Sequence, residues 1–303
     1  MTTSETLLEA FEAHRALLTA VAYRMLGRFA DAEDVVQEAW LRWSSAGREE
    51  VREPRAYLVR VTTRLALDRL RQVQARREEY VGPWLPEPVT TAYTTACTGA
   101  ERAELADSVS LALLVVLESL SPLERAVFVL REAFDLPFKD IAEATGRSEA
   151  AVRQLAGRAR RHVAERRPRF DADPARGREL TERFLAAAGG GSLQDLLALL
   201  APDVRLVADS GGRAKGPRRI IHSADKVARF LLAVAAVPLP EPEYRLVEVN
   251  GGPALLLLSR GRPDSVLCLA VAEGRVSTVY LMRNPDKLSG LRPVAHTARG
   301  HSA

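Results

Sequence analysis

The tightest restriction on the fold comes from Phe138 to Arg161, FKDIAEATGRSEAAVRQLAGRARR. Phe138 to Ala144 has helical spacing that turns Ile141 and Ala142 inward. Thr145-Gly146-Arg147 interrupts it, and Gly146 suits the left-handed residue that closes a helix. Ser148 stands where it can cap a second helix, with Glu149 near the positive end. That helix carries Val152, Leu155, Ala156 and Ala159 on one face. Its other face shows Arg153, Gln154, Arg158 and Arg161, which can reach base edges and phosphates. The pattern is a helix-turn-helix with a basic second helix, and DNA is the partner it fits. A plain helical hairpin with a solvated charged face shares the same local pattern.

Composition limits the remaining choices. A chain of 303 residues has room for two or three domains, and 47% hydrophobic residues argue for a folded one. No run of about 18 apolar residues occurs, so no membrane span is expected. Met1-Thr2-Thr3-Ser4-Glu5 lacks the basic-then-apolar order of a secretory signal. The two cysteines, Cys97 and Cys268, lie far apart without a His or Cys at ligand spacing. They fit a reducing cytoplasm and no structural metal. A pI of 9.3 and a net charge of +4 allow a nucleic-acid partner without requiring one.

Residues 5 to 77 read as helix. Leu7, Phe11, His14, Leu17, Leu18, Val21, Ala22 and Met25 form one stripe, which Gly27 ends. Asp31 to Asp34 opens the next helix with acids, and Val35, Val36, Ala39, Trp40 and Trp43 follow at helical spacing. Pro54 starts a third helix, expected from Arg55 to Arg71, with Tyr57, Leu58, Val61, Leu65 and Leu70 inward. Acid dominates up to Glu53 and base from Arg55 to Arg77. Two surfaces of opposite charge on one helical unit imply two different partners.

The series Asp31-Ala32-Glu33-Asp34-Val35-Val36-Gln37-Glu38-Ala39-Trp40-Leu41-Arg42-Trp43, then Pro54-Arg55-Ala56-Tyr57-Leu58, then the helix-turn-helix, closely resembles extracytoplasmic-function (ECF) sigma factors. The resemblance covers about residues 5 to 165. It implies that Asp34, Gln37, Glu38, Leu41 and Trp43 face the β′ clamp helices of RNA polymerase core. It likewise puts Tyr57, Arg60, Thr63 and Arg64 near the −10 strand, where an unstacked base needs a pocket and the backbone needs cations. Trp40 and Tyr57 also suit a plain core, and Arg60 with Arg64 a solvated face.

Residues 78 to 107 read as a linker, since Pro83, Pro86, Pro88, Thr90, Thr91, Thr94 and Thr95 deny it a regular element. Within it Trp84-Leu85-Pro86-Glu87-Pro88 is unusual, because a large aromatic there needs somewhere to dock. Residues 107 to 137 read as two helices ahead of the helix-turn-helix. Val109, Leu113, Val116, Leu117 and Leu120 line the first, and Ser121-Pro122-Leu123-Glu124 is a capping box opening the second. The unit resembles sigma region 4, which also meets the polymerase β flap. By that resemblance Arg153, Gln154 and Arg158 face −35 bases, while Lys139, Ser148 and Arg160 contact phosphates.

Beyond Arg167 the pattern changes. Leu180 to Ala188 and Ser192 to Leu200 read as helices around three glycines, Val204 to Ala208 as a strand, and Ser223 to Val237 as a helix capped by Ser223. Four strands follow, at Tyr244 to Val249, Ala254 to Arg260, Ser265 to Ala272 and Arg275 to Met282, with hairpin turns at Asn250-Gly251 and Glu273-Gly274. This order resembles the SnoaL-like cone fold. Asn284-Pro285-Asp286-Lys287-Leu288 and the Trp84 to Pro88 segment resemble the ECF subgroup that carries such an extension, in which the extension modulates sigma activity in cis. A third motif of that subgroup is matched only in part by Asp209-Ser210-Gly211-Gly212-Arg213, where a turn role for Asp209 is the simple account.

The expected architecture is therefore multidomain. Two all-α domains, sigma region 2 (1–77) and the region 4 helix-turn-helix (108–168), flank the linker (78–107). An α+β SnoaL-like domain (177–290) and a loose tail (291–303) follow. The expected partners are polymerase core and promoter DNA, with a small lipophilic ligand a further candidate for the extension, and no membrane. No cofactor is expected and no enzyme. Asp209, His222, Arg205 and Tyr244 are the groups an acid-base site in the cone would use. The rival reading is a ligand-responsive helix-turn-helix regulator, which leaves the acidic Asp31 to Trp43 helix without a purpose. Trp84 to Pro88 and Asn284 to Leu288 are expected to meet where the extension joins the first domain.

Overall fold

Apolar residues at helical spacing draw the first unit into three packed helices, α1 (Thr3–Leu26), α2 (Phe29–Ser45) and α3 (Pro54–Arg77), in a computed structural model of the chain. The described residues are 3–45, 53–77, 80–90, 110–166 and 174–291. The sequence expectations at Thr91, Thr94, Thr95 and Cys97, and along the tail beyond Leu291, lie outside them. Gly27 closes α1 at φ +71°, where a side chain would strain the backbone. Pro54 opens α3, which continues past the Arg71 end expected for it.

The second unit comprises α4 (Leu111–Leu117), α5 (Pro122–Phe128), α6 (Phe138–Thr145) and α7 (Glu149–Arg166). Both halves of the Ser121/Glu124 capping box form, and α5 passes into a π turn at Val129–Ala133. Gly146 ends α6 at φ +67°, and the Ser148 hydroxyl accepts from Ala151 N–H at 3.3 Å to start α7. The two helical units share one continuous buried apolar cluster, from Phe11, Leu18 and Val36 through Leu58 and Leu70 to Val127, Ile141 and Val152.

The extension follows as α8 (Pro174–Gly189), α9 (Leu193–Leu199), β1 (Leu200–Asp209), β2 (Ile221–His222), α10 (Ala224–Ala235), β3 (Pro242–Val249), β4 (Gly252–Ser259), β5 (Arg262–Ala272), β6 (Arg275–Met282) and α11 (Pro285–Leu288). The six strands form one sheet in the order β2-β1-β6-β5-β4-β3. Alternate residues of β5 and β6 point to opposite faces. Leu267, Leu269, Val279 and Leu281 meet Phe184, Leu196 and Val227 of α8, α9 and α10. Val266, Cys268, Tyr280 and Met282 meet Leu85 of the linker and Leu111 and Ala112 of α4. The sheet is thus covered on one face by its own helices and on the other by the linker and α4.

Three details depart from the sequence reading. The strand order is not a pure antiparallel meander, because β1 pairs parallel to β6 and β2 adds an edge. Ser223 stands before α10 at φ +81°, outside the extended region that a capping residue adopts, and makes no side-chain cap bond. Leu291, expected to begin a loose tail, is buried on the outer face of the sheet. The expected hairpin turns form, with Asn250-Gly251 and Glu273-Gly274 both at positive φ, and Arg260-Gly261 makes a third of the same kind.

Candidate functional site

Helix α7 presents its apolar residues to the core and its cations to solvent. Val152, Leu155, Ala156 and Ala159 are buried, while Arg153, Gln154, Arg158, Arg160 and Arg161 are exposed, as are Lys139 and Ser148 beside them. Three of these arginines are held by carboxylates. Arg153 pairs with Glu149 and lies over the Phe138 ring, 4.5 Å from its centroid. Arg158 lies 3.5 Å from Glu124, and Arg160 lies 2.7 Å from Glu132. Such exposed pairs are weak, so a phosphate can replace the carboxylate at little cost.

Helix α2 carries a second charged face. Asp34, Gln37, Glu38 and Leu41 are all exposed and share one side at three- and four-residue spacing. Leu41 is 62% exposed, an apolar residue standing among acids. Trp43 does not belong to that face. It is 5% exposed, its indole N–H donates to Leu7 O at 3.0 Å, and it packs 5.7 Å from the Tyr57 ring. Its position follows the α2 apolar stripe, so its side chain is part of the core.

On α3, Tyr57 and Arg60 are half-buried, with the Arg60 guanidinium 5.6 Å from the Tyr57 centroid. Thr63 is fully buried and so is not presented to a strand in this arrangement. Arg64 reaches the other unit instead. Its guanidinium donates to Glu143 O at 2.9 Å and Ala144 O at 3.3 Å, the carbonyl end of α6, where the helix dipole favours a cation. A second tie was not anticipated: Arg125 of α5 is wholly buried and donates to Leu117 O, to Met25 O of α1 at 2.6 Å, and to Glu118. Arg125 lies one helical turn before the buried Val129, so periodicity alone puts it on the inward face.

The linker residues 80–90 join all three parts. Tyr23 Oη donates to Glu87 O at 2.7 Å and accepts from Asn250 Nδ2 at 2.9 Å. Glu87 N–H donates to Gly27 O at 2.8 Å, and its carboxylate accepts from Phe29 N–H at 3.1 Å. Burial raises the Glu87 carboxyl above its usual range, against the Phe29 hydrogen bond and the charge of Arg28. Val89 and Asn250 exchange two further bonds. Tyr23 and Asn250 were not singled out by sequence reasoning, because Asn250 read only as a turn residue.

The Trp84 to Pro88 and Asn284 to Leu288 segments do meet. Lys287 Nζ donates to Leu85 O and to Asp209 Oδ2, the latter at 2.7 Å, and sits 3.1 Å from the Trp84 centroid. Asp209 also accepts from Leu85 N–H, Tyr80 Oη and Gly211 N–H. Asn284 bonds Tyr80 Oη and caps α11. Leu85, Pro86, Glu87, Pro88 and Leu288 are buried, whereas Pro285 and Asp286 are exposed and Asp286 pairs with Arg213. Asp209 therefore does more than shape a turn, because its carboxylate is the centre of the junction.

Two family models match the helical units: Sigma-70 region 2 over residues 10–77, and Sigma-70, region 4, over residues 110–163. Across 293 residues the chain is 41% identical to the ECF RNA polymerase sigma factor SigJ of Mycobacterium tuberculosis, covering 92% of each protein. The chain belongs to the ECF sigma factor family. This sigma factor is also 36% identical to a probable ECF RNA polymerase sigma factor, SigI, of the same species, over 93% of this chain and 95% of that one. Its fold matches the crystal structure of Mycobacterium tuberculosis SigJ with a TM-score of 0.73 at 37% identity, over 94% of this chain and 99% of that one. The third part of the sigma factor is an α+β domain in which helices cover one face of a six-stranded sheet.

The α+β domain of this sigma factor shows no catalytic arrangement among the described residues. Asp209 is fully buried and engaged by Lys287, whereas His222 lies exposed on the edge strand β2. Phe184, Leu196, Leu206, Val227 and Val279 fill the space between sheet and helices, which gives the small-ligand expectation no support. Among the described residues no group of His, Cys, Asp or Glu could hold a metal ion, and no helix is long and apolar enough to cross a membrane.

Proposed function

We propose that this sigma factor recruits RNA polymerase core and directs initiation at promoters with −35 and −10 elements, and that its SnoaL-like domain regulates this in cis. The observation that carries the reading is the pairing of two exposed faces of opposite charge on separate units. The α2 face of Asp34, Gln37, Glu38 and Leu41 suits the β′ clamp helices, with Leu41 as an apolar anchor. The α7 face of Arg153, Gln154 and Arg158 suits −35 bases in the major groove, with Lys139, Ser148 and Arg160 on phosphates. Tyr57, Arg60 and Arg64 serve the −10 strand.

Regulation follows from distance. Elements named for positions −35 and −10 lie roughly 80 Å apart along B-DNA at about 3.4 Å per base pair. Here α3 touches α6 through Arg64, so the compact arrangement cannot engage both elements. Engagement requires α3 to part from α6, which frees Arg64. The junction of Tyr23, Glu87, Asn250, Asp209 and Lys287 ties the first helical unit and the linker to the extension. Leu111 and Ala112 of the second unit pack on the same sheet, so the extension resists that parting.

Co-elution of the purified chain with bacterial core enzyme tests the recruitment. Wild type is expected to co-elute, and Leu41→Glu, which places a charge on the anchor, is expected to weaken association at least tenfold without altering thermal stability. Wild type that never co-elutes would refute the reading.

A further inference from the structure

The connection between β1 and β2 carries a charge that nothing above uses. Between Ser210 and Ala224 the chain has Arg213, Lys215, Arg218, Arg219 and His222 and no carboxylate. Arg213 is paired with Asp286. Lys215, Arg218 and Arg219 are exposed, and no carboxylate of the described residues lies within ion-pair distance of them. The loop is held in one shape. Arg213 N–H and Ala214 N–H both donate to Ser210 O, and Arg283 donates to Lys215 O at 2.8 Å while pairing with Asp264.

The loop is also placed against the chain that leaves α3. A Cβ on Gly212 would lie 3.2 Å from Val81 Cβ, and one on Gly82 would lie 3.7 Å from the Arg218 backbone. The loop that carries these three cations therefore stands beside Val81 and Gly82, in the segment that follows the arginine-rich α3. Cations of one sign carried on a loop whose backbone is held in place attract a polyanion. The face assigned to polymerase is acidic, so this loop has the wrong sign to extend it and the right sign to extend the DNA-facing side.

We propose that Lys215, Arg218 and Arg219 form a phosphate-backbone contact by which the SnoaL-like domain itself touches promoter DNA beside the segment served by α3. Such a contact adds affinity without reading sequence. The inference rests on the sigma-factor reading above.

The test uses holoenzyme reconstituted from core and full-length chain, with a fluorescent promoter duplex titrated over a series of salt concentrations. The triple variant K215A/R218A/R219A is expected to reduce the slope of log K against log salt by about 2–3, since each lost phosphate contact removes roughly 0.9. The reduction is expected to be equal on duplexes with altered −10 sequences. All three side chains are exposed, and an unchanged melting temperature checks that the fold is intact. An unchanged slope would overturn the proposal, as would an unchanged slope accompanied by weaker core association, which would assign the loop to polymerase. If wild-type holoenzyme did not prefer promoter to random duplex, the sigma-factor reading would fail and the inference with it.

Discussion

Lys287 buries its ammonium 2.7 Å from the Asp209 carboxylate, with 2% and 0% of the two side chains exposed, and the same ammonium bonds the carbonyl of Leu85. A buried ion pair is not by itself strong evidence of stability, because desolvating both charges offsets most of their attraction. Its effect lies in what happens when one partner is lost. Both faces of the linker peptide at Leu85 are used, since its N–H also reaches Asp209. The pair thereby makes the fold of the extension depend on the path of the linker.

Lys287→Met leaves the Asp209 carboxylate buried without its cation. It is expected to lower unfolding free energy by about 3–5 kcal/mol. Adding Asp209→Asn to that variant is expected to recover part of the loss. Urea denaturation of the two variants checks this, and a double variant no more stable than the single one would contradict the pairing.

Tyr23→Phe removes a hydroxyl that donates to Glu87 O and accepts from Asn250. Two buried groups lose a partner, for an expected cost of about 1–3 kcal/mol. Hydrogen exchange is expected to show faster exchange at Glu87 and Val89, whose N–H groups bond Gly27 O and Asn250 Oδ1.

Much of the helical architecture was legible because its signals are local. Gly146, Ser148 and the Ser121/Glu124 box each act within four residues, and the α7 stripe repeats every turn. The hairpin turns were legible for the same reason. The ties between units were not. Tyr23 and Asn250 are 227 residues apart, and Lys287 and Asp209 are 78 apart. No periodicity connects such positions, and Asp209 in a glycine-rich stretch resembles an ordinary turn residue. The parallel pairing of β1 with β6 was hidden similarly, since it depends on which edge the last strand returns to. Thr63 and Trp43 are assigned to partners by resemblance alone, whereas both side chains are buried here and Trp43 falls on the α2 apolar stripe.

Glu87 gives a pH dependence whose sign can be worked out. Its carboxyl is raised by burial above the ordinary 4.5. Below that value both folded and unfolded chains carry the proton, and the group contributes nothing to pH dependence. Above it the unfolded chain releases the proton first, so stability falls until the folded carboxyl also ionises. Glu87→Gln keeps an oxygen acceptor for Phe29 N–H and has no proton to release. The stability of the variant relative to wild type is therefore expected to rise as pH increases through this window. Paired urea melts at several pH values check it.

Arg153→Ala and Arg158→Ala each remove a cation from the exposed face of α7. Each is expected to cost holoenzyme about 1–3 kcal/mol at the −35 element, with relaxed sequence preference there. Competition binding against duplexes altered at single −35 positions measures both quantities.

The central claim is that this chain brings RNA polymerase to a promoter. Run-off transcription with purified bacterial core enzyme on a matched template tests it most directly. The account predicts a discrete transcript that core enzyme alone does not make, in a quantity that changes when the chain is stopped after Arg167. No transcript above the core-only background, from either form, would contradict it.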